Sequence, residues 1–256
     1  MAIVTLLTDS GESDHYIAAI KARILLVDPS IRIVDISHQI RVFDIGHGAF
    51  VLRSVFRDFP KGTVHLVGVD AAGNRGDLFV IVQLEGHFFV GADNGLFSLL
   101  SQETPENIWQ INVQNPILTT FPEKEILALV AANLATGKDP SGIGKRLTEY
   151  KRLTDRQVKA TRKQITGHII RVDNFGNLIT NIPKQAFDVL SKDKAYTIQF
   201  GGEKFRRINT TYNQAEQGEC FIVFNSQNFL EIGIFKGNAS ELLGLDYDSV
   251  VNIMFE

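Results

Sequence analysis

The residues best suited to chemistry lie in one short stretch, Val172–Pro183, which reads VDNFGNLITNIP. Side chains this polar are costly to bury without partners, so the stretch is predicted to be either a self-bonded turn or a ligand surface. Phe175 beside an acid and several amides offers a nucleoside a stacking face, an acceptor and donors. An Asx turn with Gly176 at positive φ accounts for the same residues, and both interpretations stay open.

Acids also follow two predicted strands in the first half of the chain. Asp9 comes after the apolar run Ala2–Leu7, and Asp70 comes after Thr63–Val69. The carboxyl end of a strand is a favoured ligand position in open α/β sheets, although a turn or cap is the alternative role for Asp9. Arg75 closes the loop after Asp70, so the two should meet. They form either a weak surface ion pair or an acid kept ionised at the mouth of a site.

Three further residues carry two interpretations each. His38 follows a predicted strand, Ile31–Ile36, that should be buried on both faces, and it is expected to be a structural hydrogen-bonding residue rather than a ligand. Phe43 precedes Asp44, a predicted helix N-cap, and it could staple the helix or face a ligand. Asn94 lies in an Asp-Asn-Gly turn signal, with ligand contact as its second interpretation.

The elements that must position these residues change character along the chain. Strands and helices alternate over residues 1–150, which predicts a layered α/β domain. Residues 145–166 are rich in Lys, Arg, Thr and Gln, which predicts a solvated linker over residues 151–166, with an edge strand in this segment as the alternative. Residues 167–256 read as short strands separated by turns, which is typical of a small barrel or sandwich. The predicted fold class is therefore α/β, with an N-terminal layered domain followed by a small all-β domain.

Local signals predict several element ends in the first domain. Ser13 or Asp14 is expected to cap the first helix. Ile108–Asn112 is predicted to be an edge strand. Pro122 suits the start of a helix over residues 124–135.

Composition narrows the function class. The 256 residues are 44% hydrophobic and 21% charged, with a net charge of -3 and no basic run, which argues against a nucleic-acid binder. The single cysteine, Cys220, excludes an intramolecular disulfide and a thiolate metal cluster, and its apolar surroundings predict a buried structural thiol. Neither a signal-peptide pattern nor a membrane-length apolar run is visible, so a cytoplasmic protein is expected. A phosphate cradle, a metal site and a serine triad all lack a motif, so no cofactor is expected.

Several short blocks, read in order, resemble one family, the S-adenosyl-L-methionine hydroxide adenosyltransferases. That family is related to enzymes that fluorinate or chlorinate the same substrate. The most specific block is Asp-x-Phe-Gly-Asn-x-x-Thr-Asn, which begins at Asp173, and the resemblance covers nearly the whole chain. The other blocks are Thr8–Gly11, Asp35–His38, Val69–Asp70, Asp93–Leu96, Asn225–Ile232 and Gly237–Ser240.

This resemblance implies an α/β domain followed by a small β-barrel. It also implies a homotrimer whose sites lie between one subunit's first domain and the next subunit's second domain. The implied reaction is displacement of L-methionine from C5′ of the ribose by water or hydroxide, which gives adenosine. Because the sulfonium is already a good leaving group, the enzyme needs a well-placed, desolvated nucleophile more than a metal.

The resemblance also assigns residues. Asp70 and Arg75 are implied to be two members of the Asp-Arg-His set that places hydroxide, and Asp70 disfavours the halogenating relatives. In the first domain, the resemblance implies that Asp9 binds the ribose hydroxyls, Phe43 covers the sugar, Asn94 contacts substrate from its turn, and Phe121 lies beside the reacting centre. In the second domain, Asp173, Phe175 and Asn177 are implied to contact the methionine end and to form the wall of the nucleoside pocket. The adenine-reading segment is implied to contain Ser226, Asn238 and Ala239.

The chain departs from the family pattern at three places. The loop Asp-Ala-Ala-Gly-Asn-Arg after Val69 is shorter than usual, and Gln227-Asn228 replaces an apolar-Gly pair. Pro122 stands where the family has its catalytic histidine, and a proline side chain cannot exchange a proton. The alternative hypothesis is therefore a nucleoside or S-adenosylmethionine binding protein with weak or lost catalysis. His47 is the nearby histidine that could substitute, although a solvated helix residue is the other interpretation.

Overall fold

The computed structural model describes residues 2–71, 78–113, 119–154 and 156–256, and the chain divides into two compact units, Met1–Thr154 and Asp155–Glu256. Arg75, which the sequence assigned to catalysis, lies outside the described residues. The regular elements of the first unit are β1 (Ile3–Thr8), α1 (Tyr16–Leu25), β2 (Arg32–Ser37), α2 (Ile45–Arg53), β3 (Val64–Gly68), β4 (Phe79–Leu84), β5 (His87–Ala92), β6 (Asn107–Ile111), α3 (Ala128–Ala135) and β7 (Gly144–Leu147).

The first unit is built on one mixed sheet with the strand order β2-β1-β3-β5-β4-β6-β7. Strands β2, β1, β3 and β5 run parallel to one another, whereas β4, β6 and β7 are added antiparallel. The carboxyl ends of the four parallel strands therefore meet at the same edge of the sheet, which is where ligands bind in open α/β folds.

Helices cover both faces of this sheet, because successive side chains of a strand point to opposite sides. Leu6 packs in a core with Ile20 of α1 and Ala131 of α3. Its neighbour Leu7 packs in a second core with Leu52 of α2. Two apolar layers on opposite sides of one sheet give the layered α/β arrangement that the alternating sequence pattern predicts.

Two strand predictions were wrong about position in the sheet. Strand β2 was expected to be buried on both faces, but it is the edge strand and its side chains are exposed or half-buried. Conversely, Ile108–Asn112 was predicted to be an edge strand, but β6 lies between β4 and β7. Strand β7 forms the edge instead, in the polar segment for which an edge strand was the alternative prediction to a linker.

Helix starts were predicted with mixed success. The predicted cap Asp44 is confirmed, because its Oδ1 accepts the backbone N–H of His47 at 2.9 Å. Helix α1 instead begins after His15, with no side-chain cap, so the Ser13 or Asp14 cap was wrong. The helix expected after Pro122 begins with a π-helical turn, Glu123–Leu127, and continues as α3.

The second unit is a sheet that carries two helices, so the all-β prediction was too simple. Its strands follow the order β12-β11-β15-β9-β10-β14-β13, with β8 paired to β9. Closure of this sheet into a full barrel remains a prediction. The elements are β8 (Lys159–Ala160), β9 (Gln164–Val172), β10 (Leu178–Pro183), α4 (Lys184–Ser191), β11 (Tyr196–Phe200), β12 (Glu203–Phe205), β13 (Cys220–Phe224), β14 (Phe229–Ile234), α5 (Ala239–Leu243) and β15 (Val250–Phe255).

Cys220 begins β13 and is half-buried rather than fully buried. Burial, reinforced by nearby Glu219, raises the pKa of its thiol to about 11, so the sulfur stays protonated and unreactive near neutral pH. Within the described part of the chain, no helix combines the length and the apolar composition that crossing a membrane requires.

Candidate functional site

In the first unit, Asp9 gathers the ends of β1 and β3 and the start of α2. Its Oδ2 atom accepts the backbone N–H of Phe43 at 2.9 Å and that of Asp70 at 3.1 Å. A carboxylate that accepts two backbone N–H groups is held in place. Asp9 thus serves the local turn, as one interpretation held, and within the described residues no hydrogen bond occupies its second oxygen. We call Asp9, Phe43, Asp70 and Asn94 the strand-end cluster.

Both residues that bond to Asp9 have unusual backbones. Phe43 has φ 63° and Asp70 has φ 46°, and a positive φ is uncommon for residues other than glycine. The Phe43 side chain is 70% exposed, so it does not staple the helix, and that interpretation was wrong. An exposed aromatic ring on a strained backbone next to a fixed carboxylate is what a ligand surface would show.

Asn94 fixes the peptide that leads into Asp70. Its Nδ2 donates to the carbonyl of Val69 at 2.9 Å, and its Oδ1 accepts from Leu96 N at 3.1 Å. The side chain is buried and its amide is used by the backbone. Asn94 is therefore a turn residue, and it holds Asp70 at the carboxyl end of β3.

The two histidines near the cluster are both buried. His38 contacts the Thr8 hydroxyl through Nδ1 at 3.0 Å and an oxygen of Asp35 through Nε2 at 3.2 Å, which confirms its structural role. His47 is 8% exposed, and its Nδ1 accepts the backbone N–H of Arg41 at 2.9 Å. The solvated-residue interpretation of His47 was therefore wrong, and one ring nitrogen is already used by the backbone.

Glu123, which the sequence did not single out, lies close to the same strand ends. It is half-buried, and burial raises the pKa of its carboxyl, with the Asp9 charge acting in the same direction. The neighbouring Phe121, predicted to lie beside the reacting centre, is also half-buried, and its ring packs edge-on against Tyr16 with centroids 5.2 Å apart.

The second unit contains a cavity of about 620 Å³, a size suited to a small organic ligand. Its wall combines aromatic rings, amides and two groups of opposite charge. The lining residues are Asp173, Phe175, Asn177, Tyr212, Phe221, Ile234, Phe235, Lys236, Gly237 and Asn238. Four of these, Asp173, Phe175, Asn177 and Asn238, are substrate-binding residues predicted from the sequence.

The turn that supplies the first three of these residues is the predicted Asx turn. Asp173 Oδ1 accepts the backbone N–H groups of Phe175 at 2.9 Å and of Asn177 at 2.8 Å. Gly176 has φ +81°, as the turn requires. Phe175 is 75% exposed, so its ring stands at the cavity wall rather than in the core. The two interpretations of this stretch therefore hold together, because the same turn folds itself and faces the cavity.

Two other predicted residues are not among those that line the cavity. Ser226 is exposed in the turn between β13 and β14. Ala239 is fully buried at the start of α5. The Asn238 side chain caps that helix by accepting from Glu241 N at 3.2 Å.

A buried acid beneath the cavity was missed. Glu231 in β14 is 3% exposed, and its Oε2 accepts from Asn225 Nδ2 at 3.0 Å. Burial raises the pKa of Glu231, and burial together with this neighbouring carboxylate raises the pKa of Tyr212 to about 12. The signal was present in the sequence, because Glu231 is the one charged residue in the strand Phe-Leu-Glu-Ile-Gly-Ile.

Comparison with known proteins agrees with this geometry. Residues 4–144 match the family model of the SAM hydroxide adenosyltransferase N-terminal domain, and residues 167–252 match that of its C-terminal domain. A Methanocaldococcus jannaschii protein named (R)-S-adenosyl-L-methionine hydrolase is 33% identical, over 99% of this chain and 96% of its own. A Nocardia brasiliensis fluorinase is 26% identical over 73% of each chain. The crystal structure of an uncharacterized conserved protein from Thermotoga maritima superposes with a TM-score of 0.87 at 30% identity, covering 98% of this chain and 99% of that one.

Proposed function

We propose that this chain, which belongs to the SAM hydroxide adenosyltransferase family, hydrolyses S-adenosyl-L-methionine to adenosine and L-methionine. The observation that carries the proposal is the similarity over 99% of the chain to a protein named (R)-S-adenosyl-L-methionine hydrolase. The cavity of the second unit supports it, since the family's most specific motif supplies three of its lining residues.

The reaction needs little from the protein beyond placement. Water attacks C5′ of the ribose, the C5′–S bond breaks, and the electron pair stays on sulfur, which becomes the neutral thioether of L-methionine. One proton is released from the attacking water. A rate gain then comes from holding water in line with the C5′–S bond in a dry site.

Each predicted residue has a proposed part in that placement. Asp9 would bind the ribose hydroxyls through its second oxygen, and Phe43 would cover the sugar. Asp70, with Arg75, would place the water or hydroxide, and Phe121 would lie beside the reacting centre. The remaining direct contacts fall to Asp173, Phe175, Asn177, Ser226 and Asn238 in the second unit. The buried residues Asn94 and Ala239 would act indirectly, by holding Asp70 and the start of α5 in place.

A homotrimer is also part of the proposal, as the family resemblance implies. Light scattering of the purified protein should then give a mass of three times the 28.5 kDa chain. A monomer at micromolar concentration would contradict it.

Pro122 favours a second candidate function, a binding protein for S-adenosyl-L-methionine or a nucleoside with little catalysis. Proline stands where the family carries histidine, and it is buried at the start of the π-helical turn. Such a protein would keep the cavity of the second unit and lose the rate.

The test is incubation of the purified protein with S-adenosyl-L-methionine, with and without chloride, followed by chromatography of adenosine and L-methionine. Release of both products at a rate indifferent to chloride supports the hydrolase. Asp70→Asn should lower this rate at least tenfold while binding persists. Tight binding of intact substrate without products would favour the second candidate.

A matched pair of variants tests the cavity. Asp173→Asn keeps the oxygen that accepts two backbone N–H groups but removes the charge, so we expect normal folding and at least roughly tenfold weaker binding of substrate, or about 1.4 kcal/mol. The control is Asp246→Asn, an exposed acid of the same unit that also accepts a backbone N–H. Equal affinities for the two variants would remove Asp173 from the binding site.

A further inference from the structure

The side chain of Glu123 packs against Gly68, where a larger residue would collide with it. A Cβ atom on Gly68, the last residue of β3, would lie 2.9 Å from Glu123 Cγ and 3.2 Å from Thr8 Cγ2. Real Cβ atoms almost never approach so closely, so a larger residue at position 68 would displace the glutamate side chain from this place. The carboxyl oxygen Oε1 lies 3.6 Å from the same point. Glu123 thus lies against the carboxyl ends of β1 and β3.

The same strand ends carry the residues proposed to hold the sugar and the water. Asp9 follows β1 directly, and its backbone N–H donates to the carbonyl of Gly68 at 3.3 Å. Asp70 follows two residues after Gly68. Glu123 is therefore the carboxyl group that the π-helical turn before α3 adds to the strand-end cluster, one residue after the proline that stands in place of the family's histidine.

The two carboxyl groups at this point are set up for different roles. Asp9 is fixed by two backbone N–H donors. For Glu123, burial and the nearby charge of Asp9 outweigh the stabilisation of its carboxylate by its own backbone N–H, so its pKa is raised. A carboxylate with a raised pKa is a stronger base, and a base works best when its pKa lies nearer to the working pH.

Several titratable and charged groups of the described residues lie on the elements packed around Glu123. The first turn of its own helix holds Lys124 paired with Glu125 at 2.9 Å. From α1, the ring of Tyr16 packs edge-on against the neighbouring Phe121. On the strand side, Thr8 is bonded to His38, and the acid whose charge acts on Glu123 is Asp9.

We propose that Glu123 accepts the proton of the attacking water and so replaces the family's histidine. The inference rests on the proposed hydrolase function. As the water oxygen bonds to C5′ and the C5′–S electron pair moves to sulfur, one O–H proton passes to the Glu123 carboxylate and then to solvent. A π-helical turn, rare in proteins and frequent at functional sites, begins at this residue.

The test compares Glu123→Gln with Glu125→Gln, an exposed acid of the same turn. The glutamine has the same shape as glutamate but cannot accept the proton, so kcat should fall at least roughly 100-fold with KM nearly unchanged. The wild-type rate should rise with pH through the pKa of the base, and Glu123→Gln should lose that rise. Glu125→Gln should keep the rate within about twofold.

A second variant protects the test against a folding defect. Glu123→Asp keeps the base but withdraws it by one methylene, so an intermediate rate with the wild-type pH profile is expected. A Glu123→Gln enzyme with the wild-type rate and pH profile would overturn the role of Glu123 and leave the hydrolase function intact. A wild-type protein that binds the substrate without hydrolysing it would overturn both.

Discussion

Gly176 lies in the turn that lines the cavity and contacts the start of helix α5, so Gly176→Ala should disturb both the stability of the second unit and its cavity. A Cβ there would lie 2.0 Å from Asn238 Oδ1 and 3.0 Å from Asn238 Cα. The side-chain oxygen is held as the cap of α5, and the Cα atom belongs to the backbone, so neither can move cheaply.

Gly218→Ala is the matched control, because Gly218 has φ +83° against +81° for Gly176 and its Cβ would meet nothing within 4 Å. Both variants strain the backbone by about 1–2 kcal/mol, offset in part by a less flexible unfolded chain. Gly176→Ala adds an overpacking cost of about 1–3 kcal/mol. We therefore expect the free energy of unfolding to fall by about 1 kcal/mol for Gly218→Ala and by about 2–4 kcal/mol for Gly176→Ala.

The assay is urea unfolding followed by far-ultraviolet circular dichroism, with adenosine affinity measured by calorimetry on the folded variants. Gly176→Ala should also weaken adenosine binding, since it pushes Asn238 from the cavity wall, whereas Gly218→Ala should bind normally. Adding Asn238→Ala to Gly176→Ala should recover part of the lost stability, because the 2.0 Å contact disappears. If Gly176→Ala and Gly218→Ala lose the same free energy of unfolding, the structure relieves the clash with Asn238 at no cost, and the reasoning is refuted.

Two further predictions concern the first unit. Asp9→Asn keeps an acceptor for Phe43 and Asp70 but loses the charge, so unfolding free energy should drop by about 1–2 kcal/mol and S-adenosyl-L-methionine affinity should fall, as urea titration and calorimetry would report. Unchanged values would show that the charge is dispensable. Burial, with the charge of His87 adding to it, lowers the pKa of His65 to about 3, so this residue is neutral in the folded state and binds a proton more readily when unfolded. Stability should therefore fall as pH drops from about 6.5 towards 3, by up to about 1.4 kcal/mol per pH unit, and His65→Gln should flatten that slope in urea titrations at pH 7 and pH 4.5.

Features that depend on local chemistry could be predicted from the sequence. The Asp44 cap of α2 was predictable because its hydrogen bond joins residues only three apart. The Asp173 turn was predictable for the same reason, since its hydrogen bonds join residues close in the sequence. The proximity of Asp9 and Asp70 could also be predicted, since the carboxyl ends of parallel strands meet at one edge of the sheet.

Features that depend on strand order could not be predicted in this way. The burial of β2 was overestimated, because an apolar run does not reveal that its strand lies at the edge of the sheet. Glu123 was not identified because an acid in the first turn of a helix usually faces water, whereas this side chain packs against Gly68 of a distant strand. His47 was misjudged likewise, because its partner is a backbone N–H in the preceding loop.

The π-helical turn Glu123–Leu127 bears on how such a site can change during evolution. A π turn contains about one residue more than an α turn, so the insertion or deletion of a single residue there converts one into the other. Each such change would rotate the first residues of the helix by about 100° around its axis, while Ala128–Ala135 could keep its packing. The side chain presented to the strand ends can therefore be exchanged by an indel without rebuilding the core.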